Sequence, residues 1–232
     1  MAVICSKQLK VPILGKRASD FAVGESVFLM ENGSPVEYLV VNQGIPSGSS
    51  LYDSSCDGTW LLRKDIYICM GFNNEDSDYA NSKIHTYLNA DFFSLFDSDV
   101  QSIIKQVKIP YYNNGSVISG NNGGSAKIFL LSGREVNLAN SEYTTVPYDS
   151  ACLDYFVDCT NSKRIAYYNG TACYWWSRTP NPKYDTSYCG VMGDGTTGSW
   201  MRGSTIGVRP ALILPFGAMF DSKTLIFKGV KS

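Results

Sequence analysis

Gly207-Val208-Arg209-Pro210-Ala211-Leu212-Ile213-Leu214 and Tyr174-Trp175-Trp176-Ser177-Arg178-Thr179-Pro180 are the two stretches on which the reading of this chain turns. Both are apolar and aromatic, and each holds one arginine inside a hydrophobic segment. Between them, residues 181–206 are built mainly of Gly, Ser, Thr, Asn, Asp and Tyr. Two scaffold segments thus bracket a polar, glycine-punctuated tract, a pattern that points to binding rather than catalysis.

Neighbouring side chains of a strand face opposite ways. Trp175 and Trp176 therefore cannot share one face: one is core, and the other belongs to a second cluster or to the surface. Arg178 and Arg209, if buried, need carboxylate or carbonyl partners, and they read as structural pins. Within the tract, Asn181, Tyr184, Asp185, Tyr188, Asp194, Trp200 and Arg202 are the candidate ligand contacts. Tyrosine mixed with Ser, Gly and Asn is the composition of binding loops that combine rigid aromatic area with adaptable hydrogen bonding.

The remainder of the chain fits a sheet-rich protein. Of 232 residues, 44% are hydrophobic and 13% aromatic, while 18% are charged, against about 25% in an ordinary domain. A chain of this size buries roughly 70–75% of its unfolded surface as one domain. The net charge is −1 and no basic stripe occurs, which argues against nucleic-acid binding. No apolar run approaches the roughly 18 residues that span a bilayer, and the start lacks the apolar core and cleavage site of a signal peptide. Seven cysteines without a C-x-x-C spacing read as free thiols in the core.

The element order is strands, then helices, then strands. Segments 26–30 and 36–41 flank Asn32-Gly33, a hairpin signal. A strand at 60–63 continues through 66–70. Apolar spacings of three and four over 84–96 predict helix. Asp97-Ser98-Asp99 caps a second helix carrying Val100, Ile103, Ile104 and Val107, which Pro110 ends. Ser132-Gly133-Arg134-Glu135 fits a capping box with a short helix through Leu138. Strands come last, at 174–177, 188–192, 199–201, 208–214 and 225–227. This order predicts an α+β fold, with an attachment segment over 1–22 and one domain over 23–232.

Catalytic and metal signatures are sparse. His85 is the one histidine and sits in a predicted helix, where it reads as structural. The carboxylates at 75–78 and 97–99 read as a solvated loop and a helix cap, so no metal and no cofactor are expected. Asn32, Asn114 and Asn169 match the glycosylation acceptor pattern, but each is an Asn-Gly turn.

The two opening stretches, with Phe129-Leu130-Leu131-Ser132-Gly133-Arg134-Glu135-Val136 and Val107-Lys108-Ile109-Pro110-Tyr111, resemble a C-type-lectin-like domain family of gut-associated Firmicutes and their phages. The resemblance covers about 25–215. It implies a twisted antiparallel sheet with two flanking helices and long loops that form a binding face. Relatives include phage tail and virion-surface proteins and the variable proteins of diversity-generating retroelements, whose variable positions correspond to residues 181–204 here. The Glu-Pro-Asn and Trp-Asn-Asp motifs of calcium-dependent lectins are absent. The resemblance thus implies a non-enzymatic virion protein on tail or capsid. Assembled in the host cytoplasm with other virion proteins, it would be a homo-oligomer without membrane insertion, binding a host-surface glycan or protein. The alternatives are a bacterial carbohydrate- or protein-binding module and a formylglycine-generating type of enzyme using a pair such as Cys173 and Cys189.

Overall fold

Three Asn-Gly pairs set the local pattern: Asn32 and Gly33 have φ of 49° and 71°, Asn114 and Gly115 45° and 81°, Asn169 and Gly170 51° and 79°. Two successive left-handed residues make the turn that matches the twist of paired strands, and each pair closes an antiparallel hairpin. A computed structural model describes residues 15–46, 49–73, 78–158 and 160–230.

In chain order the first strands are β1 (Gly15–Arg17), β2 (Ser26–Glu31), β3 (Ser34–Gln43), β4 (Thr59–Arg63) and β5 (Ile68–Met70). A helical run comes after them: α1 (Lys83–Tyr87), a π turn (Leu88–Phe92), a 3-10 turn (Phe93–Leu95), then α2 (Ser98–Ile103). Short strands come next: β6 (Val107–Ile109), β7 (Tyr111–Asn113), β8 (Ser116–Ile118), β9 (Gly124–Ala126) and β10 (Ile128–Phe129). The last group is β11 (Ala166–Tyr168), β12 (Thr171–Cys173), β13 (Trp175–Pro180), β14 (Ser187–Val191), β15 (Thr197–Met201), β16 (Ile206–Val208), β17 (Ala211–Leu214), β18 (Ala218–Asp221) and β19 (Phe227–Val230). The α+β class is the observed one, rich in sheet and mostly antiparallel.

Two five-stranded sheets carry the structure, ordered β10-β17-β4-β3-β2 and β15-β14-β13-β16-β5. A third, β1-β18-β19, meets the edge of β2 through the Phe28–Ile226 bridge. The sheets share one aromatic core, in which Trp60 meets Tyr52 and Phe129 edge to face at 5.6 and 5.5 Å. The helical run is tied to the first sheet by Asn89, which donates to Ile128 O at 2.9 Å and accepts from Lys127 N at 2.8 Å.

The structure corrects several readings. Segment 208–214 is not one strand. β16 pairs with β5 and β13, β17 pairs with β4 and β10, and Arg209-Pro210 crosses between the sheets. Proline has no N–H to give a ladder, so the break falls where pairing must change partners. Likewise β5 does not extend β4 but belongs to the other sheet. The second helix stops at Ile103, and buried Val107 opens β6 instead. The Ser132–Glu135 capping box forms, with Glu135 N donating to Ser132 Oγ and Ser132 N to Glu135 Oε2. It closes a single turn rather than a helix, because Asn137 is left-handed (φ 55°) and Leu138 N bonds back to Gly133 O, a helix-ending geometry. The attachment segment drawn over 1–22 overlaps the folded body: β1 pairs with β18, and Ala18 and Phe21 are buried. Residues 1–14 lie outside the described residues.

Candidate functional site

β13 holds both tryptophans of the opening stretch, and both are fully buried, on opposite faces. Trp175 donates from Nε1 to Arg164 O at 2.9 Å, and the Arg209 guanidinium lies 5.1 Å from its ring. Trp176 donates to Met70 O at 3.0 Å and meets Phe72 and Trp200 edge to face. Two clusters therefore flank one strand and make it a stiff base for the loops at its C-terminal end. Arg178, buried on the same strand, makes a two-pronged ion pair with Glu135 at 2.6 Å on each side and donates to Leu130 O and Pro110 O. Arg209 is pinned by the carbonyls of Arg63 and Lys64. Burial lowers its pKa to about 10.

Asn181 follows β13 directly and organises those loops. Its backbone N–H donates to Ser187 O, and its carbonyl accepts from Tyr184 N. The side-chain amide donates to Tyr143 O at 2.8 Å and to Ser199 Oγ at 3.0 Å. Its oxygen accepts from Thr145 N and Lys183 N. One buried amide thus fixes loop 182–186 and staples a second loop onto it.

The seven candidate contacts divide by position. Tyr184, Asp185 and Asp194 are exposed. Asp194 accepts from Thr196 N and Oγ1, which lowers its pKa and closes the turn between β14 and β15. Trp200 and Arg202 are half-buried. Asn181 and Tyr188 are buried, Tyr188 stacked on Phe72 with ring centres 3.6 Å apart. These two support the face from beneath rather than forming it. Trp200 lies over the sheet where glycines leave room: a Cβ at Gly198 would stand 2.5 Å from its ring and one at Gly190 3.0 Å. Exposed Tyr174 lies 5.3 Å from it, centre to centre.

Sequence reasoning missed the stapled loop. Residues 138–153 contain no helix or strand, yet they are bonded throughout: Val146 N to Asn140 Oδ1, Thr145 N to Asn181, Thr179 Oγ1 to Asp149, Ala151 N to the Tyr52 hydroxyl. Ordered loops of this length are usually functional. Tyr143 and Tyr148 project from it, 64% and 80% exposed, and the Arg134 guanidinium stacks 3.4 Å from the Tyr148 ring. The available signal was two tyrosines in a non-periodic polar run around Pro147. Tyr184 on loop 182–186 and Met201 at the end of β15, 66% exposed, are likewise large side chains left in water.

Reactive groups lie elsewhere. His85 is buried against the Tyr79 ring, and burial lowers its pKa. Cys56, Cys69, Cys152, Cys173 and Cys189 are free thiols. Cys5 and Cys159 are outside the described residues. Burial pushes the Cys56 thiol up to about 12 and raises Cys189 further. Cys173 and Cys189 are not brought together: Cys189 faces Thr145 O and Pro180 O, while Cys173 neighbours Cys69. Asp78 caps the turn Tyr79–Asn81, and Asp97 accepts from Gly33 N. Among the described residues no group of three or more His, Cys, Asp or Glu could hold a metal, and no helix is long and apolar enough to cross a membrane.

No curated protein and no solved structure matches the chain. Residues 57–216, from just before β4 to just after β17, match a family described as a domain of unknown function, DUF6273. Both stapled loops and the strands that carry them lie inside that match, which takes in well over half of the sequence, and the chain belongs to the DUF6273 family.

Proposed function

We propose that this chain is a non-enzymatic binding protein with a C-type-lectin-like fold, carried on a phage particle, and that its loop end contacts a glycan or protein of the host surface. The observation that carries the binding reading is the exposure of Tyr143, Tyr148, Tyr184 and Met201 on or beside loops that hydrogen bonds of the buried Asn181 tie to β13. Large side chains left in water on rigid loops gain area on contact without a large ordering cost. Mobile loops would lose that advantage. The placement on a particle and the lectin-like fold rest on the sequence resemblance carried by the β13 stretch, residues 207–214 and 129–136.

The test is binding of labelled full-length chain to a glycan array and to bacterial cell surfaces. Replacing Tyr148 and Tyr184 together by Ala should weaken binding at least about tenfold, since buried interface aromatics dominate such contacts, with an unchanged melting temperature. Undiminished binding would remove the loop end from the proposal. Genes for head or tail proteins beside this one support the particle placement, and a neighbourhood without them counts against it.

A further inference from the structure

β5 is an edge strand of the second large sheet and pairs with β16 alone. Residues directly opposite each other on neighbouring strands share a face of their sheet. Cys69 is opposite Gly207, and Gly207 is opposite Trp175, so Cys69 and Trp175 project to the same side. On that side lies the β11–β12 hairpin, a two-stranded sheet of its own. Trp175 Nε1 donates to Arg164 O at the entrance of the hairpin, and Ile66 N, just before β5, donates to Tyr167 O at 3.0 Å. Tyr174 O, just past the hairpin, accepts from Gly207 N. These bonds set Cys173, the last residue of β12, beside Cys69, and the two side chains are hydrogen-bonded to each other.

Both thiols are free and half-buried, whereas Cys56 and Cys189 are sealed in the core. Residues 169–172 at the tip of the hairpin are exposed, so a small reagent can approach from that side.

We infer that Cys69 and Cys173 are the two halves of a disulfide that closes when the folded chain meets an oxidising medium, clasping the β11–β12 hairpin to strand β5. The oxidant is a small-molecule disulfide. One protein thiolate attacks it, forms a mixed disulfide and releases one thiol. The other protein thiolate attacks the mixed disulfide, the bond between Cys69 Sγ and Cys173 Sγ forms, and the second thiol leaves. The two cysteines lose two protons and two electrons, which the reagent carries away as its two thiols. Burial and the neighbouring Cys173 sulfur raise the pKa of the Cys69 thiol. Little of it is thiolate at neutral pH, so closure is slow and quickens as pH rises. The bond closes a loop that carries both helices and residues 138–153. A cross-link over so long a loop restricts the unfolded chain, so oxidation makes the fold harder to open. The clasp forms whether or not the chain binds a host surface.

The test incubates full-length chain, purified in reductant, with oxidised glutathione, then alkylates it in denaturant and maps its peptides by mass spectrometry. A peptide pair joined through Cys69 and Cys173 is expected, formed faster at mildly alkaline than at neutral pH. The melting temperature should rise by roughly 5–15 °C and return with dithiothreitol. Cys69→Ser and Cys173→Ser should each abolish the rise and leave the reduced protein melting close to the wild type. Recovery of both cysteines alkylated after prolonged oxidation overturns the proposal. So does a linked chain that melts no higher than the reduced one, or a rise that survives in either variant. If a variant does not fold, the peptide map and melting temperature of the wild-type chain decide.

Discussion

Arg178 carries its charge with no solvent contact. Burial works against that charge and Glu135 outweighs it, so the guanidinium holds its proton more firmly than a free arginine. Glu135 also takes the Tyr52 hydroxyl and the Ser132 N–H, and Ser132 Oγ contacts Ser150 Oγ beside Asp149. The sequence shows Ser132 and Glu135 as a capping box because they are three residues apart. It does not show that Glu135 serves an arginine 43 positions on, since nothing local encodes that meeting. Asp149 is the uneven member of the network. Burial, the largest influence, raises its pKa, while Arg178 and the hydroxyls of Thr179 and Ser150 pull the other way. An acid whose pKa is raised by folding adds stability that is complete below its unfolded value of 3.8 and is lost as pH rises through the folded value. Asp149→Asn cannot titrate. Urea unfolding of both proteins from about pH 4 to pH 7 should show the wild type losing stability relative to the variant as pH rises. A difference that does not vary with pH would contradict the raised pKa.

Strand 206–208 depends on a missing side chain. A Cβ at Gly207 would stand 2.5 Å from Tyr174 O and 2.8 Å from the Ile66 side chain. The parallel contact with β13 requires that closeness, since Gly207 N donates to Tyr174 O at 3.0 Å. Gly207→Ala should therefore lower the unfolding free energy by about 1–3 kcal/mol, the usual cost of forcing extra volume into a packed interior. Gly203→Ala, with nothing within 4 Å, should stay within about 0.5 kcal/mol. Equal losses in denaturant titrations would refute the close packing. The same element shows where sequence reading stops. Strands buried on both faces give continuous apolar runs instead of alternation, so 208–214 reads as one strand, and only Pro210 hints at the change of sheet. The Asn-Gly turns were legible as turns, but the three-residue strands around Asn114 and Asn169 are too short to show a period. β18 went unread for the same reason, with four residues after a loop.

Across the whole molecule, the class was legible and the sheet order was not. Strands, helices and strands in sequence gave α+β, yet each large sheet pairs strands from both ends of the chain. The candidate site was half legible. Its 181–204 tract stands out by composition, whereas the 138–153 loop joins it through Asn181, Lys183 and Cys189, contacts the sequence does not encode. Because the two sheets share a core and are joined at Arg209-Pro210, neither can lose its strands alone. Thermal unfolding followed by tryptophan fluorescence and by far-ultraviolet circular dichroism should give coincident single transitions. Two separated transitions would mean that the sheets are independent units.

One consequence concerns the order in which this chain is made. β16 and β17 are interior strands, one in each large sheet, and each sits between partners synthesised before it. A ribosome that has reached residue 205 has delivered the other four strands of each large sheet, and both sheets still lack the strand that joins their parts. Folding that waits for distant partners is slow and leaves strand edges open to wrong ones. Nine late residues, 206–214, decide for both sheets at once when the nascent protein stops needing protection.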